Sequence, residues 1–118
     1  MSRDVTPALR AHFAGRKANV TETYQALLRV ARALGPVNVQ PHKTSIHLVR
    51  ETAFAGVATQ KDALVLTIKA AADIRSPRIR RHEQASARRW HLQLKLTSPR
   101  EVDVEVAEWL RAAYELSD

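Results

Sequence analysis

The spacing of apolar residues predicts two helices at the start of the chain. Between about Val20 and Leu34 apolar side chains recur every three or four residues, as in a helix that buries one face. Asn19 is placed to cap this helix, with Glu22 three residues later. Before it, Thr6-Pro7 is typical of a helix start, which predicts a short first helix that ends near Gly15.

From Val37 onward the apolar period changes to two, which is the period of a β-strand with one buried face. Short turns separate the segments, and this favours an antiparallel sheet. The pattern predicts five strands, within residues Val37–Pro41, Ser45–Arg50, Phe54–Ala58, Leu64–Lys69 and Trp90–Thr97.

A third helix closes the chain. Ser98-Pro99-Arg100-Glu101 has the form of a capping box with proline at the first helical position, and an apolar stripe follows that includes Trp109. Asp103 suits the positive end of the helix dipole. The order α-α-β-β-β-β-β-α predicts an α+β two-layer sandwich. We expect one domain over residues 1–118, with a helical part at 1–36 and the sheet and last helix at 37–118.

Composition narrows the class of protein. The chain has 118 residues, 45% of them apolar, which suits one globular domain. It contains no cysteine, so disulfides and thiolate chemistry are excluded. No apolar run approaches the ~20 residues of a membrane span, and Met1–Asp4 does not lead into a signal segment. We therefore expect a soluble cytoplasmic protein.

Charge points to an anionic partner. The net charge is +7, and residues 75–97 hold seven basic residues against Glu83 alone. A guanidinium group binds two oxygens of a phosphate or carboxylate in a bidentate manner. This basic connection between two strands is therefore the first candidate site. The alternative is a solvated connection without a ligand. The candidate residues are Arg75, Arg78, Arg80, Arg81, Arg88, Arg89 and Lys95.

The polar face of the predicted sheet is a second candidate. A face of this kind binds a small ligand or an anion, or simply meets water. Val49 and Val65 lie on the same side and favour a homodimer contact. The candidate ligand residues come from this face and from the segment before the second strand. They are His42, Lys43, His47, Lys69, His91 and Gln93.

His42-Lys43-Thr44 combines an imidazole, a cation and a hydroxyl, a set that suits a phosphate, although it lacks the glycines of a P-loop. The alternative is an ordinary turn. The five histidines show no metal-ligand spacing, and no nucleophile elbow is present. The sequence therefore predicts no metal, no cofactor and no catalytic residue.

Several segments together resemble a known bacterial family. They include Val39-Gln40-Pro41-His42-Lys43-Thr44-Ser45-Ile46, Phe54-Ala55-Gly56-Val57, Ser76-Pro77-Arg78-Ile79, Trp90-His91-Leu92 and Val102-Asp103-Val104-Glu105. In this order they are similar to the domain-of-unknown-function 5655 family, over roughly the last two-thirds of the chain. The resemblance implies a domain that stands alone or joins other modules, nuclease-like ones included, and it implies no reaction. A transport label sometimes given to the family has no support in a chain without a membrane span.

These observations favour a non-enzymatic binding module whose basic segment meets nucleic acid or an acidic protein surface. A small-molecule-binding or enzymatic domain that uses His47, His91 and Lys69 is the first alternative. A subunit that self-associates through the sheet is the second.

Overall fold

A computed structural model describes residues 7–118, so the predicted cap at Thr6 lies outside the described residues. The fold is α+β, with one open antiparallel sheet and helices packed on one of its faces. The helices are α1 (Pro7–Ala11), α2 (Ala18–Leu34) and α3 (Val104–Glu115). The strands are β1 (Asn38–Pro41), β2 (Ile46–Val49), β3 (Ala53–Thr59), β4 (Leu64–Ala70), β5 (Ile79–Ser86) and β6 (Arg89–Leu96).

The sheet has six strands in the order β1-β2-β3-β4-β6-β5, so the expected five strands are present and one more is added. The additional strand is β5, which lies at an edge and pairs only with β6. Ile79 is its single buried residue. Because an edge strand beyond the helices is exposed on both faces, β5 shows no alternation of apolar and polar residues, and the pattern missed it.

Helices α2 and α3 cover one face of the sheet, and the core lies between the two layers. Alternate residues of β4 are fully buried there, and the same holds for the matching positions of β6. Each such aliphatic side chain stabilises the fold by about 1.5–3 kcal/mol. Of the predicted apolar stripes, Tyr24, Leu27 and Ala31 from α2 and Val106, Leu110 and Ala113 from α3 are buried, together with Val20 and Tyr114. The other members of the stripes are only half-buried at the edge of the core: Leu28, Leu34, Val102 and Trp109.

At two helix starts, the residue predicted as the cap does not cap the helix in the structure. Asn19 lies inside α2, where its side-chain amide donates to the carbonyls of Asp62 and Thr97 and so ties the helix to the sheet. Ser98 caps a 3₁₀ turn, Pro99–Glu101, while α3 begins later with Asp103, whose carboxylate accepts from the amide of Val106 at 3.1 Å. The capping pattern therefore marks the turn that leads into the helix.

The end of α3 is fixed against the end of α2. The Tyr114 hydroxyl donates to the carbonyl of Pro36 at 3.0 Å, and Arg50 lies over the Tyr114 ring. Gly35 adopts a φ of 151° directly beside that hydroxyl. A side chain there would suffer both a strained backbone and a clash with Tyr114, so the position requires glycine.

Candidate polar face and basic hairpin

The sheet face opposite the helices, here called the open face, carries most of the predicted ligand residues. Residues directly opposite on neighbouring strands share a face and lie about 4.5–5.5 Å apart at Cβ. The strand register places Glu83 beside His91, and His91 beside Lys69. A second row crosses five strands and consists of Arg81, Gln93, Thr67, Gly56 and His47.

A shallow groove runs along β3 on the open face, because β3 offers only small side chains between its neighbours. Gly56 lies between His47 on β2 and Thr67 on β4, with Ala53 and Ala58 on either side of it along the strand. The resulting cavity measures about 380 Å³. It brings together four of the predicted ligand residues, His47, Lys69, His91 and Gln93.

Two basic side chains of this groove, His47 and Lys69, have lowered pKa values because they are partly buried. Burial lowers the pKa of His47, and the neighbouring His42, whose ring centroid is 4.2 Å away, lowers it further. Burial also lowers the pKa of Lys69, with a smaller contribution from the positive charge of Arg89. The Lys69 ammonium donates to the Thr52 hydroxyl at 3.0 Å, a partner that the sequence pattern did not indicate.

The β5–β6 hairpin carries most of the predicted anion-binding residues. Arg81 lies on the open face opposite Gln93, Arg80 occupies a bulge, and Arg88 lies in the two-residue turn. On β6, Arg89, His91, Gln93 and Lys95 occupy every second position and therefore share the open face. The segment that the sequence presents as a connection is thus a strand and a tight turn that extend the sheet.

Glu83 partly neutralises this surface. Its carboxylate lies 3.3 Å from the Arg81 guanidinium and 3.8 Å from the His91 ring nitrogen. All three side chains are largely exposed, so these pairs are worth little to stability. Glu83 is one carboxylate among several basic side chains of this face, so the open face stays positive overall.

Arg78 differs from the other arginines of the segment. Its guanidinium lies 3.0 Å from the carboxylates of Asp103 and Glu105, donates to the Glu101 carbonyl and lies over the Trp109 ring. Partial burial alone would lower the pKa of Arg78, but the bonds to both carboxylates outweigh it and raise that pKa. Arg78 joins the start of β5 to the start of α3 and is not free to meet a ligand.

Arg75 lies outside the hairpin. It precedes β5 and pairs with Asp73 at 3.6 Å, while Asp73 also contacts His82 at 2.5 Å. The Arg75 side chain is almost fully exposed. The structure therefore separates Arg75 and Arg78 from the other five basic residues, which share the hairpin.

His42 and Lys43 do not line the groove. They belong to a second cavity beneath the β1–β2 turn, which they share with His12 and Arg16 from the region between α1 and α2. The sequence did not single out His12 or Arg16, because about thirty residues separate them from His42 and no spacing rule connects them. Among residues 7–118, no three metal-ligating side chains come together to hold an ion.

The comparison with family models decides where the chain belongs. A model described as a domain of unknown function, DUF5655, matches residues 9–117. The chain belongs to the DUF5655 family. The match begins in α1, so the helical N-terminal part belongs to the DUF5655 domain along with the sheet, and it extends beyond the segments that carry the resemblance. No curated protein and no solved structure matches the chain. None of the helices described in this domain is long and apolar enough to cross a membrane.

Proposed function

We propose that this DUF5655 domain is a non-enzymatic binding module that holds a polyanion, with nucleic acid the favoured partner, on its open face and β5–β6 hairpin. The observation that carries the proposal is the placement of Arg81, Arg89 and Lys95 on one exposed face, with Arg80 and Arg88 at the bulge and turn beside it. We also propose that the domain is cytoplasmic, as the sequence predicts.

The dimensions of the surface suit a run of phosphates. Arg89 and Lys95 are six residues apart on β6, which is about 20 Å along a strand. A nucleic-acid strand carries one charge per about 3.4 Å of its axis, so this span faces roughly six phosphates. Release of the counterions condensed on those phosphates would supply the affinity without a choice of sequence.

The test is fluorescence anisotropy with labelled single- and double-stranded DNA and RNA at several salt concentrations. Binding should weaken steeply with salt, and Arg80→Ala/Arg81→Ala should bind more weakly to all sequences with a slope reduced by about two on duplex DNA. The charge-matched control is Arg29→Ala/Arg100→Ala, in which both residues are exposed and lie on the helical side. Equal binding by the two double variants would overturn the assignment to the hairpin.

A second function is favoured by the groove over Gly56. A cavity lined by His47, Lys69 and His91 suits a small anionic molecule, in a binding or an enzymatic role. A thermal-shift screen tests this, because a ligand that binds only the folded state raises its melting temperature. His91→Ala should abolish a shift found with the wild type, and a shift that survives would remove His91 from the site.

Self-association through the open face is the third proposal. Half-buried Val65 lies in the middle of that face, opposite Lys95. Light scattering on the free protein should precede the binding experiments, because a dimer would cover the same surface. A dimeric mass that becomes monomeric in Val65→Lys would support self-association, and an unchanged mass would count against it.

A further inference from the structure

The second cavity lies where three connections meet at one end of the sheet. The segment after α1, the β1–β2 turn and the end of β3 line this cavity, which is open to solvent and measures about 630 Å³. Its polar lining consists of His12, Arg16, His42, Lys43, Thr44 and Thr59. Among the described residues that line it, none is acidic, so its charge is wholly positive.

Arg16 is held in place by β3. Its Nε donates to the Thr59 hydroxyl at 3.0 Å, and one terminal nitrogen donates to the Thr59 carbonyl at 3.2 Å. The Thr59 hydroxyl in turn donates to the carbonyl of His12. A guanidinium has five N–H donors, so Arg16 keeps donors for a ligand while its position is already set.

His12 is fixed in the same way by the β1–β2 turn. Its Nε2 lies 2.6 Å from the carbonyl of His42, and because a carbonyl only accepts, Nε2 carries the proton. The His42 amide closes the turn by donating to the Ser45 carbonyl at 2.7 Å. Lys43 and Thr44 therefore lie at the tip of the turn, exposed and beside the cavity.

We infer that this cavity binds a phosphate monoester dianion. A prepositioned guanidinium, an ammonium, the His42 imidazole and a threonine hydroxyl together provide charge-assisted hydrogen bonds to a compact anion with several acceptor oxygens. Side chains here take the place of the glycine-rich backbone loop that a P-loop would use.

This site is separate from the polyanion surface proposed above. The cavity lies beside β1 and β2, whereas the hairpin forms the opposite edge of the sheet, and four strand spacings of about 4.8 Å separate β2 from β5. The turn of the hairpin also lies at the other end of the strands from the cavity, since β3 ends at Thr59 and the turn lies beyond the end of β4. The inference therefore does not depend on the proposed function.

The experiment is an NMR titration of the ¹⁵N-labelled full chain with inorganic phosphate, at constant ionic strength maintained with chloride. We expect saturable shifts at the amides of His12, Arg16 and Lys43. Arg16→Gln should weaken binding about tenfold or more, because it removes a charged hydrogen-bond donor. Lys43→Gln, at an exposed turn where folding is not at risk, should weaken it severalfold.

Two controls keep this result distinct from the other surface. Arg29→Gln removes the same charge from the exposed side of α2 and should bind phosphate like the wild type. Arg80→Ala/Arg81→Ala should also leave phosphate binding unchanged. The inference is overturned if the wild type shows no saturable shifts at the cavity, or if Lys43→Gln and a folded Arg16→Gln bind as tightly as Arg29→Gln.

A second titration identifies the source of the phosphate group. A trinucleotide with a 5′-phosphate that displaces inorganic phosphate, while its 5′-hydroxyl counterpart does not, would identify a polynucleotide end as a ligand. Binding of inorganic phosphate that neither trinucleotide displaces would identify a small free phosphate compound instead. Both outcomes support a phosphate site, and they assign it to different ligands.

Discussion

The two faces of the sheet differ in their physical roles, although the residues that form them alternate along the same strands. On β4, Leu66 is completely buried under the helices, whereas its neighbour Thr67 points to the open face and accepts a hydrogen bond from Gln93 at 3.3 Å. Packing against the helices requires apolar side chains on the covered face, whereas the open face accepts polar and charged side chains. The covered face therefore accounts for stability, and the open face is where binding is expected.

The sharpest test of this comparison replaces neighbouring residues of β4. Leu66→Ala should lower the free energy of unfolding by about 2–5 kcal/mol, because it removes buried methyl groups and leaves a cavity. Thr67→Val should change it by less than about 1 kcal/mol, since valine keeps the shape and strand preference of threonine. Urea denaturation measures both. Similar losses in the two variants would show that the open face is also packed.

The arginines of the basic segment provide a second comparison. Arg78→Met should lower stability by about 1–2 kcal/mol, because the carboxylates of Asp103 and Glu105 lose their shared partner. Arg81→Met should change it by less than about 0.5 kcal/mol, since the Arg81 side chain is 67% exposed.

Oligonucleotide binding should show the reverse order for these two variants. Arg81→Met should bind more weakly than the wild type, and a folded Arg78→Met should bind equally well. If Arg78→Met instead weakened binding as strongly as Arg81→Met, the ion pairs with α3 would have to open in the complex.

The third comparison concerns the pH dependence of stability, to which His47 on the open face contributes. Because burial and His42 hold the pKa of His47 below its ordinary value of 6.5, the unfolded chain takes up a proton more readily than the folded one. The stability that His47 contributes is thus present above pH 6.5 and is lost as pH falls through the lower pKa of the folded state. His47→Gln should flatten this part of the stability profile. His91→Gln is the control and should retain the dependence that belongs to His47.

The smallest expected effect concerns Glu83, the only acidic residue between positions 75 and 97. Glu83→Gln should tighten oligonucleotide binding by about two- to fivefold at low salt, because it frees Arg81 and removes a repulsive charge. Glu22→Gln on the exposed side of α2 is the matched control and should have a weaker effect. The difference between the two variants should vanish in high salt, where exposed charges are screened.

The elements that bury one face could be predicted from the amino-acid sequence alone. The stripes of α2 and α3 and the alternation in β4 and β6 follow from the periods of 3.6 and 2, which local sequence carries directly. It also indicated that His47, Lys69, His91 and Gln93 lie on one face, because alternation along a strand sets the side as soon as the apolar side is known.

Features that depend on neighbours far along the chain could not be predicted and are seen only in the folded structure. Strand β5 forms by pairing with β6 rather than by burial, so its own residues carry no period. Arg78 and Arg81 look equivalent in the sequence, and only the docking of α3 gives one of them two carboxylate partners. Arg16 and His12 reach the His42 turn because α1 and β3 pack at the same end of the sheet. Contacts of this kind arise from the folded topology, and local periodicity contains no information about them.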